Sequence, residues 1–262
     1  MSISIKNLSY EGENEKKILK NMSFHVDEGE YCFLIGETGS GKTTILEILM
    51  GLIGENQLQN EIKIFKKKLF GKKNKRVIQK EISYVFQRCE AHFFKTTVEK
   101  ELKVSGDLEK GIEILKLLSL EYEEIKEKSP FELSGGEKRK LAITIALLKN
   151  PKILLLDEPT IGLDGKSSAE LMKFLGTLNK NGMTIIQTTH IMEEVMDYAT
   201  KYVVVKGGEV MYDGTDVFKE RKILKNCRLD IPFERRLLDA LSKKGFNLEK
   251  EEIEDFLLER LC

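Results

Sequence analysis

An α/β fold built around a phosphate-binding loop is predicted, and three observations predict it. A glycine-rich octet, Gly36, Glu37, Thr38, Gly39, Ser40, Gly41, Lys42 and Thr43, sits between a continuous apolar run, Tyr31–Ile35, and an amphipathic run carrying Ile45, Leu46, Ile48 and Leu49. A second apolar run over 153–156 ends in the acids Asp157 and Glu158. A third, over 184–187, ends in Thr188, Thr189 and His190. Short continuous apolar runs are buried parallel strands, and α/β proteins bind ligands at the carboxyl edge of such strands.

The chain opens with alternating positions, Ile3 and Ile5 and then 23–26, which read as antiparallel strands joined by polar, glycine-containing turns at 11–17 and 27–30. Tyr31–Ile35 is the buried strand that delivers the glycine octet. The octet matches glycine, four residues, glycine, lysine, serine or threonine, with Thr44 following. Its glycines let backbone N–H groups curl around phosphates, Lys42 reaches the β and γ oxygens, and Thr43 offers a hydroxyl to Mg²⁺. A strand before and a helix after are the setting that this motif requires.

Residues 63–76 read as a hairpin or loop, and Ile82, Tyr84, Val85 and Phe86 as a strand ending at Gln87. A glutamine there is commonly a plain exposed polar residue; beside a nucleotide it can reach Mg²⁺ or the attacking water. Residues 98–102 and 108–118 have helical spacing, with Gly106 and Asp107 as break and N-cap, and Ser129 with Pro130 closes this helical insertion. Leu133, Ser134, Gly135, Gly136 and Glu137 then lead into a helix whose Leu141, Ile145 and Leu148 share one face, stopped by Asn150 and Pro151. The start of that helix is a second anion-binding helix N-terminus in a chain that already has one.

Asp157 reads as a second metal-holding acid for the nucleotide and Glu158 as the group that orients and deprotonates water. The turn at 159–164 ends in Asp164, placed to face a neighbouring subunit. His190 gains weight from its position at the same sheet edge. Residues 202–205, Gly207 with Gly208, and 210–212 form a closing hairpin. Beyond Phe218, Asp230 and Pro232 start a helix carrying Phe233, Leu237 and Leu241 and ended by Gly245; Ile253, Phe256, Leu257 and Leu261 line another.

At 262 residues, with 41% hydrophobic and 33% charged, the chain can bury one substantial core and a small appendage. The net charge of +0 argues against a nucleic-acid partner, and the local run Lys63, Lys66, Lys67, Lys68, Lys72, Lys73, Lys75 and Arg76 lacks the aromatic interleaving of a base-stacking surface. Cys32, Cys89, Cys227 and Cys262 have neither metal spacing nor a secretory segment ahead of them, which fits a reducing cytosol. No apolar run approaches the roughly 20 residues that span a bilayer, so a membrane role is expected to come through partners.

The phosphate loop, Gln87, the 133–137 stretch, Asp157 with Glu158, Asp164 and His190 occur in the order characteristic of the ABC ATPase family, and the resemblance covers nearly the whole chain. It implies a P-loop ABC-type nucleotide-binding domain over 1–220, with a mixed sheet core, an N-terminal antiparallel β subdomain and a helical subdomain at about 88–150. A small α-helical C-terminal extension over 221–262 is implied to mediate dimerisation. By the same resemblance Tyr10 is similar to the aromatic residue that stacks on adenine, Gln87 to the Q-loop glutamine that also approaches the metal, and Asp164 to the D-loop aspartate. His190 resembles the switch histidine, and 133–137 the signature whose Ser134 and Gly136 donate to the γ-phosphate of a nucleotide held by a second chain.

Within that family the chain resembles the ATPases of energy-coupling-factor (ECF) importers. Ser129, Pro130, Phe131 and Glu132 before the signature carry this, as do Glu90, Phe94, Thr97 and Val98 after Gln87. The tail adds Leu229, Asp230, Ile231, Pro232 and Phe233, then Lys244, Gly245, Phe246 and Asn247. The resemblance implies ATP and Mg²⁺ as cofactors, and as partners a second ATPase subunit, in a homo- or heterodimer, a transmembrane coupling subunit and a membrane-embedded substrate-binding subunit. It also implies peripheral attachment to the cytoplasmic side of the membrane and uptake of a vitamin or transition-metal micronutrient. Two departures stand out. Cys89 and His92 replace the proline and glutamine usual in the segment that meets the coupling subunit, and Gly165 replaces a common proline after Asp164, a mild change in a turn. The alternatives are the ATPase of another ABC transporter and a soluble ABC ATPase acting on nucleic acid or the ribosome. The latter usually has two nucleotide domains or a long heptad insertion, and neither is present.

Overall fold

A computed structural model describes residues 2–12, 16–54, 58–70 and 74–246. Its N-terminal part is an antiparallel sheet made from β1 (Ile3–Glu11), β2 (Lys17–Val26), β4 (Leu58–Ile64) and the short β5 (Lys67–Lys68), in the order β2-β1-β4-β5. Between β2 and β4 the chain enters a second sheet through β3 (Tyr31–Ile35) and turns into α1 (Lys42–Met50). After the β4–β5 hairpin come α2 (Asn74–Glu81) and β6 (Ile82–Val85), so the basic stretch read as a hairpin or loop begins in a hairpin and ends in a helix. Charged residues dominate α2, whose single buried side chain is Ile78, and too short an apolar stripe hides its helical period.

The helical insertion comprises α3 (Val98–Ser105), α4 (Leu108–Leu117), the one-turn α5 (Tyr122–Ile125) and α6 (Gly135–Leu148). Thr97 and Asp107 cap α3 and α4 by accepting from the amides of Lys100 and Lys110. The 133–137 stretch is indeed a helix start, but the single apolar face expected of the helix is not what forms. From Leu141 to Leu148 every residue of α6 is buried, because sheet, α3 and α4 enclose it on all sides.

The chain returns to the sheet through β7 (Ile153–Asp157), crosses by α7 (Gly165–Lys180) to β8 (Thr184–Thr189), and passes through α8 (Met192–Tyr198) to the hairpin β9 (Lys201–Lys206) and β10 (Glu209–Gly214). The sheet order is β10-β9-β3-β8-β7-β6, parallel except for β10, which makes it the expected mixed sheet. Alternation along each strand feeds two cores. Tyr31, Phe33, Ile35, Leu154, Leu156 and Val204 face the helical insertion and α7; Cys32, Leu34, Ile153, Leu155 and Val203 face α1 and the antiparallel sheet. The carboxyl ends of β3, β7 and β8 therefore converge on one edge with a core packed on each side.

α9 (Arg221–Asn226) and α10 (Phe233–Lys243) follow. α10 starts after Pro232, ends beside Gly245 at φ +88, and buries no side chain fully. Arg235 ties it to the cassette, reaching Asp216 at 3.5 Å and lying 5.4 Å over the Phe218 ring, while Arg221 pairs with Asp239. Asn247 and the second tail helix, with Ile253, Phe256, Leu257 and Leu261, lie outside the described residues. Among the described residues no helix is long and apolar enough to cross a membrane.

Candidate functional site: a nucleotide cavity and a signature cavity

The loop after β3 is shaped by close approach. A Cβ on Gly36 would stand 2.1 Å from the carbonyl oxygen of Val205, and one on Gly41, at φ +105, 2.7 Å from Leu19 Cδ2. Gly39 turns at φ +79. Within this loop the Lys42 ammonium donates to the carbonyls of Gly36 at 2.6 Å and Glu37 at 3.0 Å. Burial lowers the Lys42 pKa, opposed by the carboxylates of Glu158 and Asp157. The buried hydroxyl of Ser40 has no hydrogen-bond partner among the described residues. A polar atom left in that state costs about 1–3 kcal/mol unless a ligand meets it, and a phosphate oxygen in this loop would do so.

Asp157 ends β7 almost fully buried, and three hydroxyls converge on it. Thr43 donates to Oδ2 at 2.9 Å, Thr188 to Oδ1 at 2.6 Å and Tyr84 to Oδ2 at 3.4 Å. Burial raises the Tyr84 pKa, so its phenol remains a donor. Thr43 and Asp157 form a pair of hard oxygen donors that suits Mg²⁺, which needs few protein ligands when phosphates and waters complete its shell. The described residues contain no cluster of three or more His, Cys, Asp or Glu that would hold a metal without such help.

Glu158 is strained, at φ +46, and its amide donates to Thr188 Oγ1 at 2.9 Å. Its carboxylate is held from two sides: Gln87 Nε2 donates to Oε2 at 2.9 Å, and His190 Nδ1 lies 3.2 Å from Oε1. Residues from three strand ends, 71 and 32 positions from Glu158 along the chain, thus meet at one carboxylate.

Thr38, Gly39, Gly41, Lys42, Thr43, Thr44, Gln87 and Glu158 line a single cavity of about 510 Å³. Lys16, Lys17, Ile18, Lys20 and Gly207 complete its wall; sequence reasoning passed over them, although three lysines around the start of β2 were a visible signal. Gly36 and Ser40 lie in the loop beneath, and Glu37 stands 3.6 Å from Arg228 of the tail. Tyr10 is not brought to this wall: it is half-buried on β1, packed against the core under the antiparallel sheet.

The signature lies elsewhere. Ser134, Gly135, Gly136 and Glu137 line a separate cavity of about 320 Å³ together with Asp164 and Lys140, and it shares no lining residue with the first. Ser134 and Glu137 form a capping box: Ser134 accepts from the Glu137 amide at 3.3 Å, and the Glu137 carboxylate accepts from the Ser134 amide at 2.7 Å. These bonds to Ser134 lower the Glu137 pKa. Asp164 caps α7 by accepting from Ser167 N–H at 2.9 Å and its hydroxyl at 2.7 Å, which lowers the Asp164 pKa. Gly165 follows as the first helical residue, where proline and glycine are both tolerated.

A phosphate loop, a threonine–aspartate pair and a clamped glutamate on the carboxyl edge of a parallel sheet define a nucleotide triphosphatase of the P-loop class. The family model described as ABC transporter matches residues 19–161. An energy-coupling factor transporter ATP-binding protein EcfA2 of Clostridium perfringens is 37% identical, covering 96% of this chain and 93% of that protein; its counterpart from Ligilactobacillus salivarius is 38% identical, covering 100% and 98%. Among solved structures, cbiO1 of Clostridium perfringens, part of an ABC transporter complex, superposes with TM-score 0.72 at 28% identity over 90% of this chain and 98% of that one. The cassette MJ0796, a dimer bound to ADP and Pi, gives 0.72 at 28% over 81% and 98%. The chain belongs to the ABC transporter ATPase family, among the ATP-binding subunits of ECF transporters, and it is an ATP-binding ATPase.

Proposed function

We propose that this chain hydrolyses ATP, with Mg²⁺, to power an ECF-type importer that takes up a vitamin or transition-metal micronutrient across the cytoplasmic membrane. It does so from the cytoplasmic side as a peripheral subunit, paired with a second ATPase subunit and docked on a transmembrane coupling subunit that carries a membrane-embedded substrate-binding subunit. On this reading residues 1–220 are the cassette, with its helical subdomain at about 88–150, and 221–262 contribute to pairing through the exposed Phe233 side of α10.

One observation carries the reading: the Glu158 carboxylate is clamped between Gln87 and His190 at the wall of the Lys42 cavity, while the signature residues line a different cavity. Lys42, Thr44 and the loop amides bind the phosphates. Thr43, Asp157 and Gln87 would hold Mg²⁺, which supplies charge to offset that of the β and γ oxygens. Glu158 accepts the proton of the attacking water, and Gln87 and His190 fix its two oxygens so that the lone pair is aimed before water arrives. Ser134 and Gly136 of one chain, with Asp164 beside them, close on the γ-phosphate bound by the other.

The test is isolation of the tagged chain from its native membranes. Membrane proteins that copurify with it, and whose uptake activity ends with a Lys42→Ala substitution, are expected. Copurification of nucleic acid that high salt removes, with no membrane protein, would replace this reading with a nucleic-acid role.

A further inference from the structure

The backbone immediately before and at Gln87 is held by two side chains from elsewhere in the chain. The Phe86 amide donates to Nε2 of His92 at 3.1 Å, so that ring nitrogen carries no proton, and the His92 ring lies 4.9 Å from the Phe86 ring. Arg139, a buried residue of α6, donates through Nη1 to the Phe86 carbonyl and through Nη2 to the Gln87 carbonyl, each at 2.9 Å. One planar guanidinium spanning two successive carbonyls is a geometry that lysine cannot reproduce. A looser tie runs parallel to it, Lys138 to Glu90 at 3.3 Å. Arg139 belongs to the helix that begins at Gly135 of the signature.

We propose that Arg139 and His92 together form a latch on the Phe86–Gln87 backbone, and are positioning residues that hold the Gln87 amide on Glu158 and make Gln87 move as one body with the signature helix. The proposal rests on the hydrolytic roles given above to Gln87 and Glu158. A glutamine side-chain oxygen can accept the same Phe86 N–H, so histidine and glutamine can serve one purpose there.

Steady-state ATPase kinetics on the full chain in its dimer test the latch. Arg139→Lys is expected to lower kcat about tenfold with KM for ATP unchanged within about threefold, since a displaced positioning group costs rate more than binding. His92→Ala should lower kcat in the same direction, and His92→Gln should restore it to within about twofold of wild type. In a Gln87→Ala background, where there is no amide left to position, Arg139→Lys should cost no more than about twofold of the residual rate. The same tenfold loss with and without Gln87, or wild-type kcat in His92→Ala, would overturn the proposal. Should Arg139→Lys fail to fold, the His92→Ala and His92→Gln pair decides by itself. Glu158→Gln on the same preparation separates the two levels: wild-type turnover there defeats the hydrolytic reading, whereas a silent Glu158→Gln with additive Arg139 and Gln87 effects defeats only the latch.

Discussion

The nucleotide cavity and the signature cavity are both lined by glycines and acids, yet this chain accounts for the glycines of one and not for those of the other. In the nucleotide cavity each special residue answers to a neighbour: Gly36 to the Val205 carbonyl, Gly41 to Leu19, Lys42 to two carbonyls, Asp157 to three hydroxyls, and Glu158 to Gln87 and His190. In the signature cavity a Cβ on Gly135 would meet nothing within 4 Å, and one on Gly136 only Leu163 Cδ2, at an ordinary 3.4 Å. Neither glycine has the positive φ that would demand it. Glycine in a helix costs up to about 1 kcal/mol relative to alanine, and nothing within the chain offsets that here. The difference teaches that the glycines of the first cavity are demanded by their own chain and those of the second are not, which is what the proposed closure of a partner on the signature requires.

The largest expected effect tests the self-contained half. Glu158→Gln should lower turnover by about 10²-fold or more while ATP binding persists and the closed dimer accumulates, as measured by hydrolysis and by size-exclusion with ATP. Next, Gly36→Ala should cost about 3 kcal/mol in denaturant unfolding, because the clash is with backbone that cannot step aside. Gly135→Ala inverts that pattern. It should leave stability unchanged or raise it by up to about 1 kcal/mol in the isolated chain, yet reduce turnover in the dimer. A destabilised Gly135→Ala chain would erase the contrast between the two cavities.

The last effect shows itself only in acid. Burial, helped by Lys149 and Arg139, lowers the His92 pKa to about 4. Below its unfolded value of about 6.5 the unfolded chain takes up a proton that the folded chain refuses, so His92 makes stability fall as the pH drops from about 6.5 to 4. Above that window it has no effect. His92→Gln should flatten this part of the stability-versus-pH curve, measured by urea unfolding at several pH values.

Legibility followed the same division. Lys42, Thr43, Asp157, Glu158 and the strands that carry them could be read because phosphate chemistry demands fixed residue types at fixed spacing beside apolar strands. The signature could be read as a helix start, but its separation from the first cavity is a fact of folding. Arg139 was not singled out from the sequence, because its partners, Phe86 and Gln87, stand 53 and 52 positions away. Tyr10 was chosen by resemblance, and the pairing of β1 with β2 and β4 places it against the core under the antiparallel sheet. The helix α2 was hidden by charge, and the uniform burial of α6 by the fact that no sequence pattern reports how many neighbours will surround a helix.

That the signature serves a nucleotide held by another chain is the central claim, and mixing two silent variants tests it most directly. Ser134→Arg chains should bind ATP with wild-type affinity and hydrolyse none, and Lys42→Ala chains should do neither. Mixed, they form dimers with one intact composite site, and hydrolysis should reappear at up to about a quarter of the wild-type rate if sites act independently. Loss of ATP binding by isolated Ser134→Arg chains, with no recovery on mixing, would mean that the signature serves its own chain's nucleotide and would contradict the account.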